Sequence, residues 1–204
     1  MTSVSGTEGY ADEADELFRR YENISFAEVH GSVLHLIPTM PSWVLDIGSG
    51  TGRDAAALAA MGHRVIAAEP TDEMRVRAAA LHPSPQIEWL DDSLPDLRHA
   101  LGLGRQFDVV MMTAVLMHLD EPQRRRAMPR VASLVRPGGA MIMSLRHGLV
   151  PRGRRMFAVS AEETIGLAEA AGLQPLMNQS APSALGVAEV SWTRLAFQKA
   201  DAAC

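Results

Sequence analysis

Short apolar runs alternate with stretches of helical periodicity along most of this chain. Each apolar run has the length and the bounding residues of a buried strand, and each following stretch has the spacing of an amphipathic helix. Strands that alternate with helices predict right-handed crossovers and a parallel sheet covered by helices on both faces. The predicted strands are Trp43–Ile47, Arg64–Ala68, Gln86–Leu90, Phe107–Thr113 and Ala140–Leu145, and the predicted helices are Arg53–Met61, Thr71–Leu81, Leu94–Leu101, Glu121–Val135 and Ser160–Ala171.

Both ends of the chain depart from this alternation. Two helical stretches, Asp12–Tyr21 and Ser25–Ile37, precede the first strand, and the second of them begins with the spacing of a capping box. Two final apolar runs, Leu173–Met177 and Val187–Gln198, are separated only by a loop. Because a parallel pair needs a crossover connection, these two runs are predicted to pair antiparallel.

One predicted helix contains a proline in its interior. Pro129 lies within Glu121–Val135, where a proline removes a backbone hydrogen bond and crowds the preceding turn. We therefore expect a kink or a break near Met128.

Length and composition favour one domain of ordinary α/β type. A chain of 204 residues with 47% hydrophobic and 21% charged residues can bury a two-sided core and is not disordered in composition. We expect a single domain over 1–204, with a helical cap at 1–40 and a sheet core at 41–204. The chain has no apolar run near the ~18 residues of a membrane span and no basic-then-apolar leader, so we expect a cytoplasmic protein without a membrane partner.

Charge and cysteine content exclude several classes of function. The net charge of −5 gives no general attraction to nucleic acid, and none is expected as a partner. The single cysteine, Cys204, excludes a disulfide framework and a site built from several thiolates, so we expect no metal. The run Arg124–Arg126 is interpreted as a solvated helix face paired with nearby acidic side chains.

A glycine-rich turn follows the first predicted strand. In "VLDIGSGTGRD", Gly48, Gly50 and Gly52 surround Ser49 just before a helix begins, at the edge of the sheet where doubly wound folds bind ligands. Glycine in regular structure costs about 0.5–1 kcal/mol relative to alanine, so the cluster suggests that side chains here would obstruct a ligand. Glu69 ends the second strand, 21 residues beyond Gly48, where a carboxylate can accept hydrogen bonds from ribose hydroxyls. The pattern predicts a ligand that contains a nucleoside.

The residue after this turn argues against a dinucleotide. Arg53 stands where the G-x-G-x-x-G fingerprint needs its third glycine, and the sequence contains no P-loop motif. A cation at a helix start also opposes the helix dipole, which suggests that Arg53 contacts a carboxylate of the ligand or of the protein. Asp46 is interpreted as a cap that accepts backbone N–H groups of the glycine turn.

Five motifs in order resemble those of class I S-adenosylmethionine-dependent methyltransferases. They are "VLDIGSGTG", "VIAAEP", "IEWLDDSLPDL", "FDVVMMTAVLMHL" and "LVRPGGAMIMSL", and the resemblance extends from Trp43 to Gln198. It implies a doubly wound, mostly parallel seven-stranded Rossmann-like sheet with an antiparallel last strand and an N-terminal helical lid. It also implies S-adenosylmethionine as the cofactor, and transfer of its methyl group to an acceptor by direct in-line displacement.

The resemblance also assigns residues to the cofactor. Glu69 falls where the family holds the ribose, and Asp92, or Asp91 one residue earlier, falls where an acidic side chain contacts the adenine amino group. Tyr21 lies in an N-terminal helix of the kind that closes over the cofactor, although it also suits a role in packing that helix against the sheet. The cofactor-binding residues expected on this basis are Tyr21, Asp46, Gly48, Ser49, Gly50, Gly52, Arg53, Glu69, Pro70, Asp92, Ser93 and Thr113.

Three residues are candidates for the acceptor side. His118 follows the fourth strand, and Arg146 and His147 follow the fifth, at the same edge of the sheet. A neutral imidazole there can orient or deprotonate the acceptor, and Arg146 can fix an anionic group on it. Alternatively, the histidines are structural and catalysis is approximation alone. The basic run Arg152–Arg155 is placed to meet an anionic substrate.

A small molecule is the expected acceptor, because the chain has no appended recognition domain, no net basic charge and no [DN]-P-P-[YF] motif after the fourth strand. An arsenite acceptor is argued against by the lone cysteine. A non-catalytic module that binds S-adenosylmethionine and a nicotinamide-dependent oxidoreductase remain as alternatives. The chain is expected to be a monomer or a homodimer.

Overall fold

The computed structural model describes residues 6–183, 185–187 and 189–201, so Cys204 lies outside the described part. No helix in these ranges is both long and apolar enough to cross a bilayer. The strands are β1 Trp43–Ile47, β2 Arg64–Ala68, β3 Ile87–Leu90, β4 Phe107–Thr113, β5 Val135–Gly148, β6 Leu173–Pro182 and β7 Val190–Lys199. The α-helices are α1 Ala14–Tyr21, α2 Phe26–His30, α3 Arg53–Ala60, α4 Asp72–Leu81, α5 Arg98–Gly102, α6 Glu121–Leu134 and α7 Ala161–Ala170.

All seven strands form one mixed sheet in the order β3-β2-β1-β4-β5-β7-β6. The pairs β1–β2, β1–β4, β2–β3 and β4–β5 are parallel, whereas β7 runs antiparallel to both β5 and β6. The predicted doubly wound α/β fold with an antiparallel last strand is confirmed. Because β1, β2, β4 and β5 are parallel, their carboxyl ends meet at one edge of the sheet.

Apolar side chains on the two faces of the sheet pack under separate layers of helices. One face packs against α5, α6 and α7, and the other against α2, the turn after it and α3. The interpretation of the strand methionines as core residues is confirmed, because none of them is more than 2% exposed. These residues are Met111, Met112, Met141 and Met143.

The second N-terminal helix is shorter than predicted. Ser25 and Glu28 form the expected capping box, but the α-helix ends at His30 and continues as a 3₁₀ turn over Gly31–Leu36. Glycine and β-branched valine both lower helix propensity, and this stretch contains Gly31 and Val33. The tighter turn still buries Val33 in the core.

Two strands extend beyond their predicted limits. β5 begins at Val135 and passes through Pro137, and a register shift between Phe107 and Val109 on β4 accommodates the irregular pairing. β6 continues to Pro182, although its polar second half resembles a loop in sequence. This strand forms the edge of the sheet, and an edge strand tolerates exposed polar residues and proline.

The arginine run at the start of α6 does not lie wholly on a solvated face. Arg125 and Arg126 are exposed and paired with acidic side chains, as expected. Arg124 is only 4% exposed, so the prediction is wrong for this residue. Its Nε and Nη2 donate to the carboxylate of Glu163 at 2.7 and 2.9 Å, and its Nη1 donates to the carbonyl of Leu119 at 2.7 Å. The three bonds satisfy the guanidinium between α6 and α7.

The predicted break near Met128 is wrong, because α6 runs without interruption from Glu121 to Leu134 with Pro129 inside it. Both Pro129 and Arg125, four residues earlier, are exposed. The carbonyl that loses its helical partner therefore lies on the side where water can replace the missing N–H.

We predict that Pro129→Ala raises the free energy of unfolding by about 1–3 kcal/mol, because it restores a helical hydrogen bond and relieves the clash with the preceding turn. Pro122→Ala is the matched control, since Pro122 occupies the first turn of the same helix, where proline is tolerated. Urea denaturation of the two variants measures the difference. Equal stability of both variants would contradict a cost at position 129.

Candidate active site

A cavity of about 560 Å³ lies at the carboxyl edge of the parallel strands, below the N-terminal segment that contains α1. This volume is within the range of small-molecule sites. The cavity brings together nearly all of the residues expected from the sequence, whereas Gly52 and His147 do not line it. Those that line it are Tyr21, Asp46, Gly48, Ser49, Gly50, Arg53, Glu69, Pro70, Asp92, Ser93, Thr113, His118 and Arg146.

Each of the three positions in the turn requires glycine for a different structural reason. A Cβ on Gly48 would lie 2.6 Å from Cγ2 of Val115, and a Cβ on Gly52 would lie 2.5 Å from Cη2 of Trp89. A Cβ on Gly50 would meet no atom closer than 4.0 Å. The expectation that a ligand excludes side chains here therefore applies to Gly50 alone, because protein packing already excludes them at the other two positions.

The carboxylate of Glu69 connects the end of β2 to the glycine turn. Its Oε2 accepts a hydrogen bond from the backbone N–H of Gly50 at 2.9 Å, and its Oε1 accepts one from Thr71 at 2.9 Å. Burial raises the pKa of Glu69, and the two backbone bonds oppose that rise. Each carboxylate oxygen has a further lone pair, so Glu69 can still accept hydrogen bonds from a ligand in the cavity.

Asp46 does not cap the glycine turn, contrary to the prediction. The N–H groups of Gly48 and Ser49 bond to the carbonyl of Ala68, and Glu69 already serves Gly50. Within the described part of the chain, Oδ2 of Asp46 is buried without a hydrogen-bond partner. Burial raises the pKa of this carboxyl, and the neighbouring carboxylates raise it further. A donor group in the cavity would satisfy it.

A network centred on Asp54 holds the start of α3. Nε and Nη2 of Arg53 contact Oδ1 of Asp54 at 2.8 and 2.7 Å, which confirms the expected carboxylate contact of this arginine. Oδ2 contacts Nε2 of His30 at 2.8 Å and accepts a hydrogen bond from the hydroxyl of Thr113 at 3.1 Å. Burial raises the pKa of Asp54, but the His30 and Arg53 contacts outweigh it and lower the pKa to about 2. Asp54 was missed because acidic residues are common in the first turn of helices.

The carboxylate of Asp92, rather than that of Asp91, lies at the cavity. Its Oδ1 accepts a hydrogen bond from the backbone N–H of Ser93 at 2.9 Å, and its Oδ2 accepts one from Ala100 at 2.8 Å. Asp92 therefore fixes the loop after β3 against α5 and brings Ser93 to the wall. The side chain of Asp91 is 65% exposed.

His118 and Tyr10 form a hydrogen-bonded pair at the other end of the cavity. Nδ1 of His118 lies 2.9 Å from the carbonyl of Arg155, and Nε2 lies 3.0 Å from the hydroxyl of Tyr10. Because a carbonyl can only accept, Nδ1 carries the proton and the Tyr10 hydroxyl donates to Nε2. Burial lowers the pKa of His118 and raises that of Tyr10, so both are neutral near pH 7. Tyr10 was missed because it precedes the first periodic helix.

The fifth strand brings Arg146 to the cavity but not His147. Successive side chains of a strand point to opposite faces, and Nε2 of His147 lies 2.8 Å from the hydroxyl of Thr193 on the far side. In the basic loop that follows, Nη2 of Arg154 contacts a carboxylate oxygen of Glu13 at 2.7 Å. Arg154 thus holds the N-terminal segment over the cavity and is not free to bind a substrate.

A family model described as a methyltransferase domain matches residues 44–139, which contain the glycine turn, Glu69 and Asp92. This match agrees with the resemblance to class I S-adenosylmethionine-dependent methyltransferases that the five sequence motifs carry. An uncharacterized methyltransferase of Mycobacterium tuberculosis is 32% identical over 131 residues, which are 60% of this chain and 64% of that protein. A ubiquinone biosynthesis O-methyltransferase of Parvibaculum lavamentivorans is 26% identical over 122 residues, which are 60% and 47% of the two chains. The chain thus spans between about half and two thirds of these relatives.

The fold of this chain is also found in solved structures. The crystal structure of the 1,6-didemethyltoxoflavin-N1-methyltransferase of Burkholderia thailandensis superposes with a TM-score of 0.71 at 22% identity. The match covers 94% of this chain and 87% of that one, which contains bound 1,6-didemethyltoxoflavin and S-adenosylhomocysteine.

We predict that Gly52→Ala destabilises the protein by about 1–3 kcal/mol more than Gly62→Ala does. Both glycines have a positive φ, of 84° and 94°, so alanine introduces similar backbone strain at each. Only the Cβ at position 52 meets other atoms, because nothing lies within 4 Å of a Cβ at Gly62. Urea denaturation separates the two effects. Equal losses of stability would show that contact with Trp89 is not what requires Gly52.

Proposed function

We propose that this chain transfers a methyl group from S-adenosylmethionine to a small-molecule acceptor by direct in-line displacement. The observation that carries the proposal is the continuity of the cavity. Carboxylates suited to a ribose and an adenine, Glu69 and Asp92, line one end of it, and the Tyr10–His118 pair with Arg146 lines the other. A methyl donor and an acceptor could therefore meet inside one enclosed space.

The residues at the first end fit this cofactor. Gly50 leaves open space where a side chain would stand, and Glu69 offers lone pairs to ribose hydroxyls. Asp46 has a buried oxygen that lacks a donor, and an ammonium group would supply one. Asp92 and Ser93 would contact the adenine, and Tyr21 would lie in the N-terminal segment that covers the cofactor. When bound, S-adenosylmethionine supplies a methyl group on a positively charged sulfur.

At the second end, the protein would position the acceptor and receive its proton. Holding two reactants in line can supply ~7–11 kcal/mol of a barrier, and no covalent intermediate with the enzyme is required. An acceptor hydroxyl or amine would pass its proton to the oxygen of Tyr10 while the Tyr10 proton moves to Nε2 of His118. The carbonyl of Arg155 keeps the other ring nitrogen protonated throughout. Tyr10 acts as a relay, because burial keeps its own hydroxyl protonated.

Several observations support a small-molecule acceptor. The N-terminal segment crosses the cavity and is held by Arg154 and by the Tyr10–His118 bond, which leaves an opening suited to compact ligands. The net charge of −5 gives no field that attracts nucleic acid. The solved relative from B. thailandensis contains a small heterocyclic ligand.

We predict that the purified chain binds S-adenosylmethionine and S-adenosylhomocysteine but not NAD, and that Glu69→Ala weakens both by ~1.5–3 kcal/mol for each hydrogen bond lost. Gly50→Val should abolish binding, because its side chain would occupy the open space in the cavity. Isothermal titration calorimetry measures the affinities, with Gly62→Ala as the control for a positive-φ glycine away from the cavity. Normal binding by Gly50→Val would contradict this site. Binding without transfer of a labelled methyl group to any extract component would favour the non-catalytic module.

We also predict that His118→Asn and Tyr10→Phe each reduce turnover by ~10²-fold or more and leave cofactor affinity nearly unchanged. Only the neutral imidazole accepts a proton, and burial lowers the pKa of His118 below 6.5. The wild-type rate should therefore be constant near neutral pH and fall as pH drops through that lowered pKa, and the fall should be absent in His118→Asn. His147→Ala is the control, since its side chain lies on the opposite face. If both variants turn over at the wild-type rate, the protein accelerates the reaction only by holding the two reactants together, without a proton relay.

A further inference from the structure

Four residues of β5 and β7 form a row on the cavity side of the sheet. Ser144 and Arg146 on β5 pair in register with Arg194 and Trp192 on β7, and all four line the cavity. Directly opposite residues of an antiparallel pair have Cβ atoms about 4.5–5.5 Å apart, and diagonal neighbours are about 7–8 Å apart. The Cβ atoms of Arg146 and Arg194 are therefore diagonal neighbours, and Trp192 stands directly opposite Arg146.

Neither guanidinium has a carboxylate partner within the described ranges. Arg146 forms no hydrogen bond or ion pair with any described residue, and Arg194 forms one long hydrogen bond, 3.4 Å from Nη1 to the hydroxyl of Ser32. Two other arginines that line the cavity are paired, Arg53 with Asp54 and Arg154 with Glu13, whereas Arg20 on α1 is exposed. Glu189, the acidic residue near this end, is exposed and pairs with neither Arg146 nor Arg194.

The buried carboxylates that line the cavity are Asp46, Asp54, Glu69 and Asp92, and all four lie in the part assigned to the cofactor. In the part assigned to the acceptor, Arg146 and Arg194 have no carboxylate partner among the described residues. A positively charged methyl donor next to two positive groups is electrostatically unfavourable, and an anion bound between them removes the repulsion. Arginine presents a planar fork of donors that matches the two oxygens of a carboxylate.

Apolar groups surround the two guanidiniums. Trp192 is partly buried against the core, and its indole offers a flat surface for stacking. Two large hydrophobic residues that also line the cavity are solvent-exposed, Leu149 at 72% and Val150 at 49%. Exposed apolar surface that lines a cavity is typical of a ligand site.

We propose that the methyl acceptor is an aromatic carboxylic acid, whose carboxylate is bound by Arg146 and Arg194 and whose ring lies against Trp192. This inference rests on the proposed function and names the class of acceptor for the same cavity. The reacting hydroxyl or amine of such an acid would project from the ring toward the Tyr10–His118 pair.

Binding to the protein saturated with S-adenosylhomocysteine tests this assignment without turnover. The probes are 2-naphthoate and its uncharged analogue 2-naphthamide, titrated by calorimetry. We expect naphthoate to bind at least 10-fold more tightly than naphthamide. Arg146→Ala and Arg194→Ala should each lower the affinity for naphthoate at least 10-fold, and Trp192→Ala should lower the affinity for both probes. Arg125→Ala is the control, because Arg125 is an exposed arginine of α6 that does not line the cavity.

The outcomes separate the two proposals. If the wild-type chain does not bind S-adenosylhomocysteine, the proposed function is overturned. If S-adenosylhomocysteine binds normally, three results would overturn only the proposal of an aromatic acid as acceptor. They are equal affinity for the two probes, no binding of either probe, and unchanged naphthoate affinity in both arginine variants. Unchanged S-adenosylhomocysteine affinity in the arginine variants is required in addition, since a drop there would mean that the substitutions disturb the fold.

Discussion

Two backbone N–H groups from different segments bind one buried carboxylate, and the arrangement of the cavity depends on this contact. Glu69 follows β2, whereas Gly50 belongs to the turn after β1 and Thr71 to the start of α4. The N–H groups of Gly48 and Ser49 hold the first part of that turn to the carbonyl of Ala68. The carboxylate of Glu69 holds the next part, and the positive φ of Gly50 allows the backbone to reach it. Glycine at this position thus meets two needs at once, because the turn requires the backbone conformation and the cavity requires the empty space.

The N-terminal segment is attached to both ends of the cavity. At the cofactor end, Nη1 of Arg53 reaches the carbonyl of Tyr21 at 3.5 Å, and Arg53 is itself held by Asp54. At the acceptor end, Arg154 contacts Glu13 and lies over the ring of Tyr10, whose hydroxyl binds His118. The segment that covers the ligands therefore also supplies Tyr10 to the acceptor end. The segment that covers the cavity is thus the same one that places Tyr10 against His118, the pair proposed above as a proton relay.

The sequence predicted the order of the elements and most of the residues that line the cavity around the glycine turn, because both leave local signals. Buried parallel strands appear in the sequence as continuous apolar runs. The glycine turn follows the first of them directly, and Glu69 follows the second. The failures arise where a side chain acts across the fold. Nothing local distinguishes Arg124, whose partner lies on α7, from Arg125 beside it. Asp46 was assigned to the turn because it precedes it, yet Glu69 from another strand already binds that turn. The sequence did contain a signal that Trp192 and Arg194 share a face, because side chains alternate along the last strand. Only the register with β5 places both residues beside Ser144 and Arg146 at the cavity.

The antiparallel position of β7 has a consequence for how this protein can diverge. The cofactor end is built from the connections after β1, β2 and β3, whereas two of the four residues in the acceptor row come from β7, which ends the sheet order next to the edge strand. Substitutions in β7, or in the segment that leads into it, can therefore reshape the acceptor end while the cofactor end keeps its hydrogen bonds. Divergent copies of this chain could therefore differ in β7 and still share the contacts of Gly50, Glu69 and Asp92.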